Sequence, residues 1–254
     1  MENAPKQEVT AAMLAIGDEL LSGRTRDKNI GHLATALTLQ GIDLKEVRIV
    51  SDEQTDIVEA VNALRSRYDH VFTSGGIGPT HDDITADAIA AAFDVKIDHD
   101  PRAMAILEPY YQEKQLEFTK ARKRMARIPE GAALIANKIS MAPGFIVKNV
   151  YVMAGVPAVF QAMLEEVLPS LEGGARMLSQ SVECEFGEGT IGDHLAQIQK
   201  SHPETSIGSY PRFDGKNYST QIVVRSRNED RIAGAIADVN AFLEILRNRE
   251  DKTP

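Results

Sequence analysis

Thr73-Ser74-Gly75-Gly76-Ile77-Gly78-Pro79-Thr80-His81-Asp82-Asp83-Ile84-Thr85 stands between a short apolar run, Val71-Phe72, and an alanine-rich pattern of helical period. That setting makes it a strand-to-helix junction. Three glycines within four residues let backbone approach a ligand without Cβ interference. The helix beyond them offers N–H groups and a positive dipole end to an anion. The neighbouring carboxylates of Asp82 and Asp83 repel phosphate directly, but they can hold a divalent cation that bridges to it. The residues point to a phosphorylated small-molecule ligand with a metal. A tight turn needing positive φ is the purely structural alternative.

Working outward, residues 9–16 form an apolar run that reads as a buried strand, closed by Gly17-Asp18-Glu19-Leu20-Leu21. In residues 29–40, Ile30, Leu33, Ala34 and Leu37 mark one face of a helix, and Gly41 stops it. Strands are expected at 47–50 and 70–73. Ser51 and Gln54 suggest a capping box for the helix between them. Strand alternating with helix implies crossovers and a mostly parallel sheet covered on both faces, a three-layer α/β/α arrangement. Ligands in such sheets collect at the carboxyl ends of strands. Gly17-Asp18-Glu19, Ser51-Asp52 and the glycine loop all follow strands, so they converge.

Farther on, Pro101 opens a helical region expected to reach about residue 118 with Pro109 bending it, and residues 120–127 carry five basic side chains. Shorter strands follow near 133–135, 145–148 and 150–153, then a helix after Gly155-Val156-Pro157. Gly173-Gly174 suggests a boundary between residues 1–172 and a small α+β domain at 173–254, which reads strand, helix, strand, strand, helix with a hairpin turn at 213–217.

The chain has 254 residues and a net charge of −9, which argues against general nucleic-acid binding. Its one cysteine, Cys184, excludes an intrachain disulfide and fits a reducing compartment. No apolar stretch is long enough to cross a bilayer, and the amino-terminal residues lack signal-peptide character and read as a short frayed tail. A cytoplasmic protein that does not contact membranes is expected.

Gly17-Asp18-Glu19-Leu20-Leu21, Asn29, Asp52, the loop from Gly75 to Thr85, Ala142-Pro143-Gly144 and Gly155-Val156-Pro157 together resemble the molybdopterin-binding domain family of the MoaB/Mog type, most closely the CinA-type amino-terminal domains. The resemblance covers about two-thirds of the chain. It implies an α/β/α domain that binds a pterin or nucleotide phosphate, and a divalent cation, Mg²⁺ by preference. CinA-type relatives are associated with metal-dependent cleavage of the pyrophosphate in ADP-ribose, and domains fused to FAD synthases with hydrolysis of FAD. The other branch adenylylates molybdopterin in molybdenum-cofactor biosynthesis, and a non-catalytic pterin- or nucleotide-binding module is a further alternative. Related domains self-associate, so a homo-oligomer is expected. Lys28, Met125, Ser140, Met141, Ala154 and Val159 depart from the CinA pattern, chiefly around the pocket rather than in the phosphate loop.

In this reading Gly75, Gly76 and Gly78 cradle phosphate through backbone N–H groups. Pro79 shapes the turn, and Ser74 and Thr80 donate hydroxyls or cap backbone. Asp83, with Asp82, holds the cation, and Asp83 and Asp52 are the catalytic carboxylates. Their structural alternative is charge support at helix N-termini. Asp18 and Glu19 bind metal or ribose hydroxyls, or anchor their loop. Asn29 orients ligand or caps its helix, and Pro143 and Gly144 shape the pocket wall or a turn. Arg24 and Arg26 can reach an anion. The 120–127 run is read as a solvated helix face, with a phosphate clamp as its alternative.

Overall fold

The computed structural model describes residues 8–213 and 218–250. It divides into two compact units, residues 1–175 and 176–254. The amino-terminal tail and most of the hairpin turn read at 213–217 lie outside the described residues.

The first unit begins with β1 (Val9–Ile16), α1 (Asp18–Leu21), α2 (Asn29–Leu39), β2 (Ile42–Val50), α3 (Gln54–Arg65), β3 (His70–Ser74) and α4 (Thr85–Phe93). It continues through β4 (Ile97–His99), α5 (Pro101–Glu113), α6 (Lys120–Lys123), β5 (Arg127–Pro129), β6 (Ala133–Ile135), β7 (Gly144–Val147), β8 (Val150–Met153) and α7 (Pro157–Val167). A six-stranded sheet runs in the order β2-β1-β3-β8-β7-β6. The β2-β1-β3-β8 portion is parallel, and β7 and β6 join antiparallel.

The period-2 alternation of β1 builds both cores. Ala12, Leu14 and Ile16 pack on one face with Ile57, Val61 and Leu64 of α3, Ala88 and Ile89 of α4, and Leu107 of α5. Val9, Ala11 and Met13 pack on the other with Leu33 and Leu37 of α2 and Phe160, Met163 and Leu164 of α7. Helices on both faces of a mostly parallel sheet give the expected three layers. The chain passes from β1 to β2 on one side and then to β3 on the other. The carboxyl ends of β1 and β3 therefore flank a topological switch point.

Three local expectations are corrected. Ser51 forms no capping box: Glu53 is the N-cap of α3 without a side-chain cap bond, and Ser51 Oγ instead donates to Asp56 Oδ2 at 2.6 Å. Helix α5 ends at Glu113 rather than near 118, because Gln115 turns left-handed at φ +54° and the chain reverses. Phe118 keeps the apolar spacing but reaches Tyr111 from outside the helix, stacking at 5.1 Å. Strand β2 starts five residues earlier than expected, at Ile42 instead of 47. Its position at the sheet edge leaves Lys45, Val47 and Ile49 exposed, and half-buried Asp43 and Glu46 are met by Lys45 and Arg48.

The second unit contains β9 (Leu178–Cys184), α8 (Glu188–Ser201), β10 (Ser206–Phe213), β11 (Tyr218–Ser226) and α9 (Glu229–Glu250). Its antiparallel sheet runs β10-β11-β9. Ile222 of β11 is buried with Ile191 and Leu195 of α8 and Val239 and Leu243 of α9. Cys184 lies in that core, and burial pushes its thiol pKa up, the setting of a packing side chain rather than a thiolate nucleophile. No helix among the described residues is long and apolar enough to cross a membrane.

Candidate functional site

The strand ends of the first unit meet at a cavity of about 590 Å³. Ile16 and Glu19 reach it from the end of β1, Asp52 from the end of β2, Gly75 to Pro79 with Asp82 and Asp83 from the loop after β3, and Ala154 to Pro157 from the end of β8. The remaining wall is mostly apolar, with Met125, Ala142, Val159 and Met163 beside Asn137 and Ser140. A cavity of this size, polar at one side and apolar at the other, suits a nucleotide-sized ligand.

The glycine loop is held from within. Gly75 has φ +112°, and a Cβ there would stand 2.2 Å from the Ile16 carbonyl oxygen. Gly76 has φ +67°, and its Cβ would meet Thr85 Oγ1 at 2.1 Å. Thr85 in turn donates its hydroxyl to the Gly75 carbonyl at 3.0 Å and its N–H to that of Gly76 at 3.0 Å. The Gly75 N–H donates to the Met153 carbonyl at 3.1 Å. Close packing thus explains Gly75 and Gly76, and any cradle for an anion falls to the N–H groups after Gly75.

Asp83 sits against Gly78, whose Cβ would come within 2.6 Å of Asp83 Oδ2. That oxygen accepts the Thr80 N–H at 2.8 Å and also the Thr80 hydroxyl. Thr80 therefore serves the loop and does not line the cavity. Asp52 Oδ2 accepts the Asp18 N–H at 2.9 Å, so it ties the β1 and β2 loops together. Burial, opposed by that bond and reinforced by the nearby Asp18, Glu19 and Asp82 charges, raises the Asp52 carboxyl pKa above its ordinary 3.8.

Asn29 and Ser74 lie beneath the lining, both buried. Asn29 Nδ2 donates to Ser74 Oγ at 2.8 Å and to the Gly155 carbonyl at 2.8 Å, joining the end of β3 to the loop after β8. Asn29 does not cap α2, whose first turn is served by Asp27 Oδ1 accepting the Ile30 N–H at 2.8 Å. Gly144 is not a wall residue: it belongs to β7, and a Cβ there would strike the Val152 carbonyl at 2.4 Å. Pro143 borders a separate void of about 10 Å³ shared with Gly76, Gly78 and Asp83.

Several contributors escape a reading by motif. Asn137 builds the far wall: its Nδ2 donates to Ser140 Oγ at 2.6 Å and the Ala142 carbonyl at 2.8 Å, while Oδ1 accepts the N–H groups of Ile139 and Ser140. The basic run is only partly a solvated helix face. Arg124 donates to the Asp83 carbonyl at 3.0 Å, and Arg127 grips Asp87 of α4 bidentately at 2.7 Å. Both arginines line the small void, so they brace the loop from behind.

No group of three or more His, Cys, Asp and Glu side chains among the described residues is arranged to hold a metal. One or two carboxylates suffice for Mg²⁺ when phosphate oxygens complete its shell. Asp82 and Asp83 both line the cavity and are the neighbouring carboxylates available for that role.

Residues 12–173 match the family model described as "Probable molybdopterin binding domain", and residues 176–248 match "FAD synthase, middle domain". A protein of Archaeoglobus fulgidus is 31% identical across 93% of this chain and 98% of its own length. A CinA-like protein of Desulfosudis oleivorans is 36% identical over 80% of this chain, which spans 52% of that relative. The crystal structure of a CinA protein of unknown function from Thermoplasma acidophilum aligns at a TM-score of 0.60 and 28% identity, covering 65% of this chain and 99% of that one.

Proposed function

The chain belongs to the molybdopterin-binding domain family and is close to CinA-like proteins, and from that premise we propose that it is a divalent-metal-dependent hydrolase of nucleotide pyrophosphates of the ADP-ribose or FAD class. The observation that carries this reading is one cavity in which a glycine loop, the carboxylates of Asp52, Asp82 and Asp83, and an apolar wall come together. The N–H groups following Gly75 orient the pyrophosphate. Asp82 and Asp83 hold the cation, which when bound neutralises charge building on the phosphate. The apolar wall receives the base or flavin ring. The match of residues 176–248 to a FAD synthase middle domain supports FAD within that class.

Asp52 is the general base. Its raised pKa makes it a stronger proton acceptor than an exposed aspartate. Water adds to one phosphorus, its proton passes to Asp52, and the bond from that phosphorus to the bridging oxygen breaks. The departing phosphate takes the electron pair. ADP-ribose then yields AMP and ribose 5-phosphate, and FAD yields AMP and FMN.

A second reading, retention of a nucleotide or pterin without turnover, is favoured by one observation: Asp83 Oδ2 is already engaged by the two Thr80 donors. Incubation with ADP-ribose, FAD or molybdopterin plus ATP, each with Mg²⁺ or Mn²⁺, separates the readings by chromatography and thermal shift. AMP from ADP-ribose or FAD is the expected result. Thermal stabilisation without AMP from either would overturn hydrolysis in favour of binding.

A further inference from the structure

The cavity poses an electrostatic problem. Among the described residues its lining includes Glu19, Asp52, Asp82 and Asp83 but no lysine, arginine or histidine. A pyrophosphate brought there meets like charge, and one divalent ion offsets only part of it. Most cations adjoining the lining in sequence are already committed. Arg124, next to Met125, donates through Nη2 to the Asp83 carbonyl, and its partnerless Nε is buried outside the lining. Lys138, next to Asn137, pairs with Glu166. His81 turns outward, fully exposed, at 3.9 Å from Asp82.

Arg24 and Arg26 differ. They flank Thr25, which lines the cavity, and both are exposed. Neither makes a side-chain hydrogen bond or ion pair with any described residue. Their loop is nonetheless fixed in place. Thr25 N–H donates to the Glu19 carbonyl at 3.0 Å, and Gly23 turns the chain at φ +72°. Two exposed, uncommitted arginines thus flank a residue that lines an acidic cavity.

We propose that Arg24 and Arg26 are the anion clamp of this cavity, engaging the ligand's phosphate oxygens from the loop that carries Thr25. The proposal rests on reading the ligand as a phosphate-bearing nucleotide and deepens it. Guanidinium suits the task because its planar donor fork matches phosphate oxygens, and an exposed pair costs the free protein nothing in buried charge.

Calorimetric titration of wild type and the Arg24→Gln/Arg26→Gln double variant tests it, with pyrophosphate, ADP-ribose, FAD and adenosine as probes in Mg²⁺ buffer. The double variant should bind pyrophosphate and ADP-ribose about tenfold or more weakly. Adenosine affinity should stay within twofold, and the salt dependence of ADP-ribose binding should flatten. Because both side chains lie outside the packed core, the thermal midpoint should be unchanged. Pyrophosphate affinity unchanged within twofold, an equal loss for adenosine, or no pyrophosphate binding by wild type would each overturn the clamp. Wild type that binds pyrophosphate but neither ADP-ribose nor FAD would instead sink the nucleotide reading, and the clamp would then be judged on pyrophosphate alone.

Discussion

Gly75 and Gly76 hold their places because the Ile16 carbonyl and the Thr85 hydroxyl leave no room for a Cβ, whereas the wall made by residues 137–142 is shaped by the side chain of Asn137. The first segment is fixed by the Ile16 backbone and the Thr85 hydroxyl closing on the backbone of the two glycines. The second is fixed by one amide, and Met125, Val159 and Met163 complete its surface with apolar groups that exchange for one another at modest cost. The difference teaches where change can accumulate. Gly75 and Gly76 leave no room for a side chain, while the wall that gives the ligand its shape has side chains that can be exchanged. The departures from the CinA pattern at Met125, Ser140 and Val159 all line the cavity on that second side.

The sharpest way to break this contrast is Gly75→Ala. Forcing a side chain onto φ +112° against the Ile16 carbonyl should cost about 3 kcal/mol or more in denaturant unfolding. Ser140→Ala on the far wall removes one acceptor for Asn137 and should cost about 1 kcal/mol. Equal losses would show that the walls do not differ in kind.

The asparagines sharpen the comparison at the next level. Asn29→Ala strips the donor shared by buried Ser74 and the Gly155 carbonyl and should destabilise by about 2–3 kcal/mol. Because it joins two strand ends under the floor, nucleotide affinity should fall with stability. Asn137→Ala should cost a similar amount yet alter which ring is preferred, ADP-ribose against FAD. Titrations with both ligands check this, and an identical change for the two would count against a shape-giving wall.

The smallest effect concerns Asp52. Its carboxyl binds a proton more tightly in the folded state than in the unfolded chain. The stability this contributes is fully present below the ordinary pKa of 3.8 and is lost as pH rises through the higher folded value. Asp52→Asn keeps an acceptor for the Asp18 N–H and removes the charge. Its thermal midpoint should match wild type at low pH and exceed it at pH 7. A lower midpoint at pH 7 would mean that the ionised group is net stabilising.

Much of this was readable in the residues. Alternating apolar periods gave the layers, and carboxylates placed just after strands foretold the convergence of Glu19, Asp52, Asp82 and Asp83; Asp18, expected with them, donates its N–H to Asp52 and does not line the cavity. What escaped depends on contacts between distant segments. The bracing of Asp83 and Asp87 by Arg124 and Arg127 spans about forty residues, and a basic run viewed alone looks like a solvated helix face. Asn137 sits in an unremarkable loop, and only the fold shows that its amide makes four bonds. Ser51 had the right spacing to cap α3 but found Asp56 instead, because capping depends on backbone geometry at the helix entrance.

The proposed hydrolysis of a nucleotide pyrophosphate, with Asp83 beside Asp82 holding the metal, is measured as AMP release from ADP-ribose in Mg²⁺ by wild type and Asp83→Asn. Asparagine keeps an oxygen for the Thr80 donors, so the loop survives while the charge is lost. The expected result is AMP release by wild type and a loss of at least about a hundredfold in the variant at an unchanged thermal midpoint. Turnover by Asp83→Asn equal to wild type would rule out a metal-holding role for Asp83.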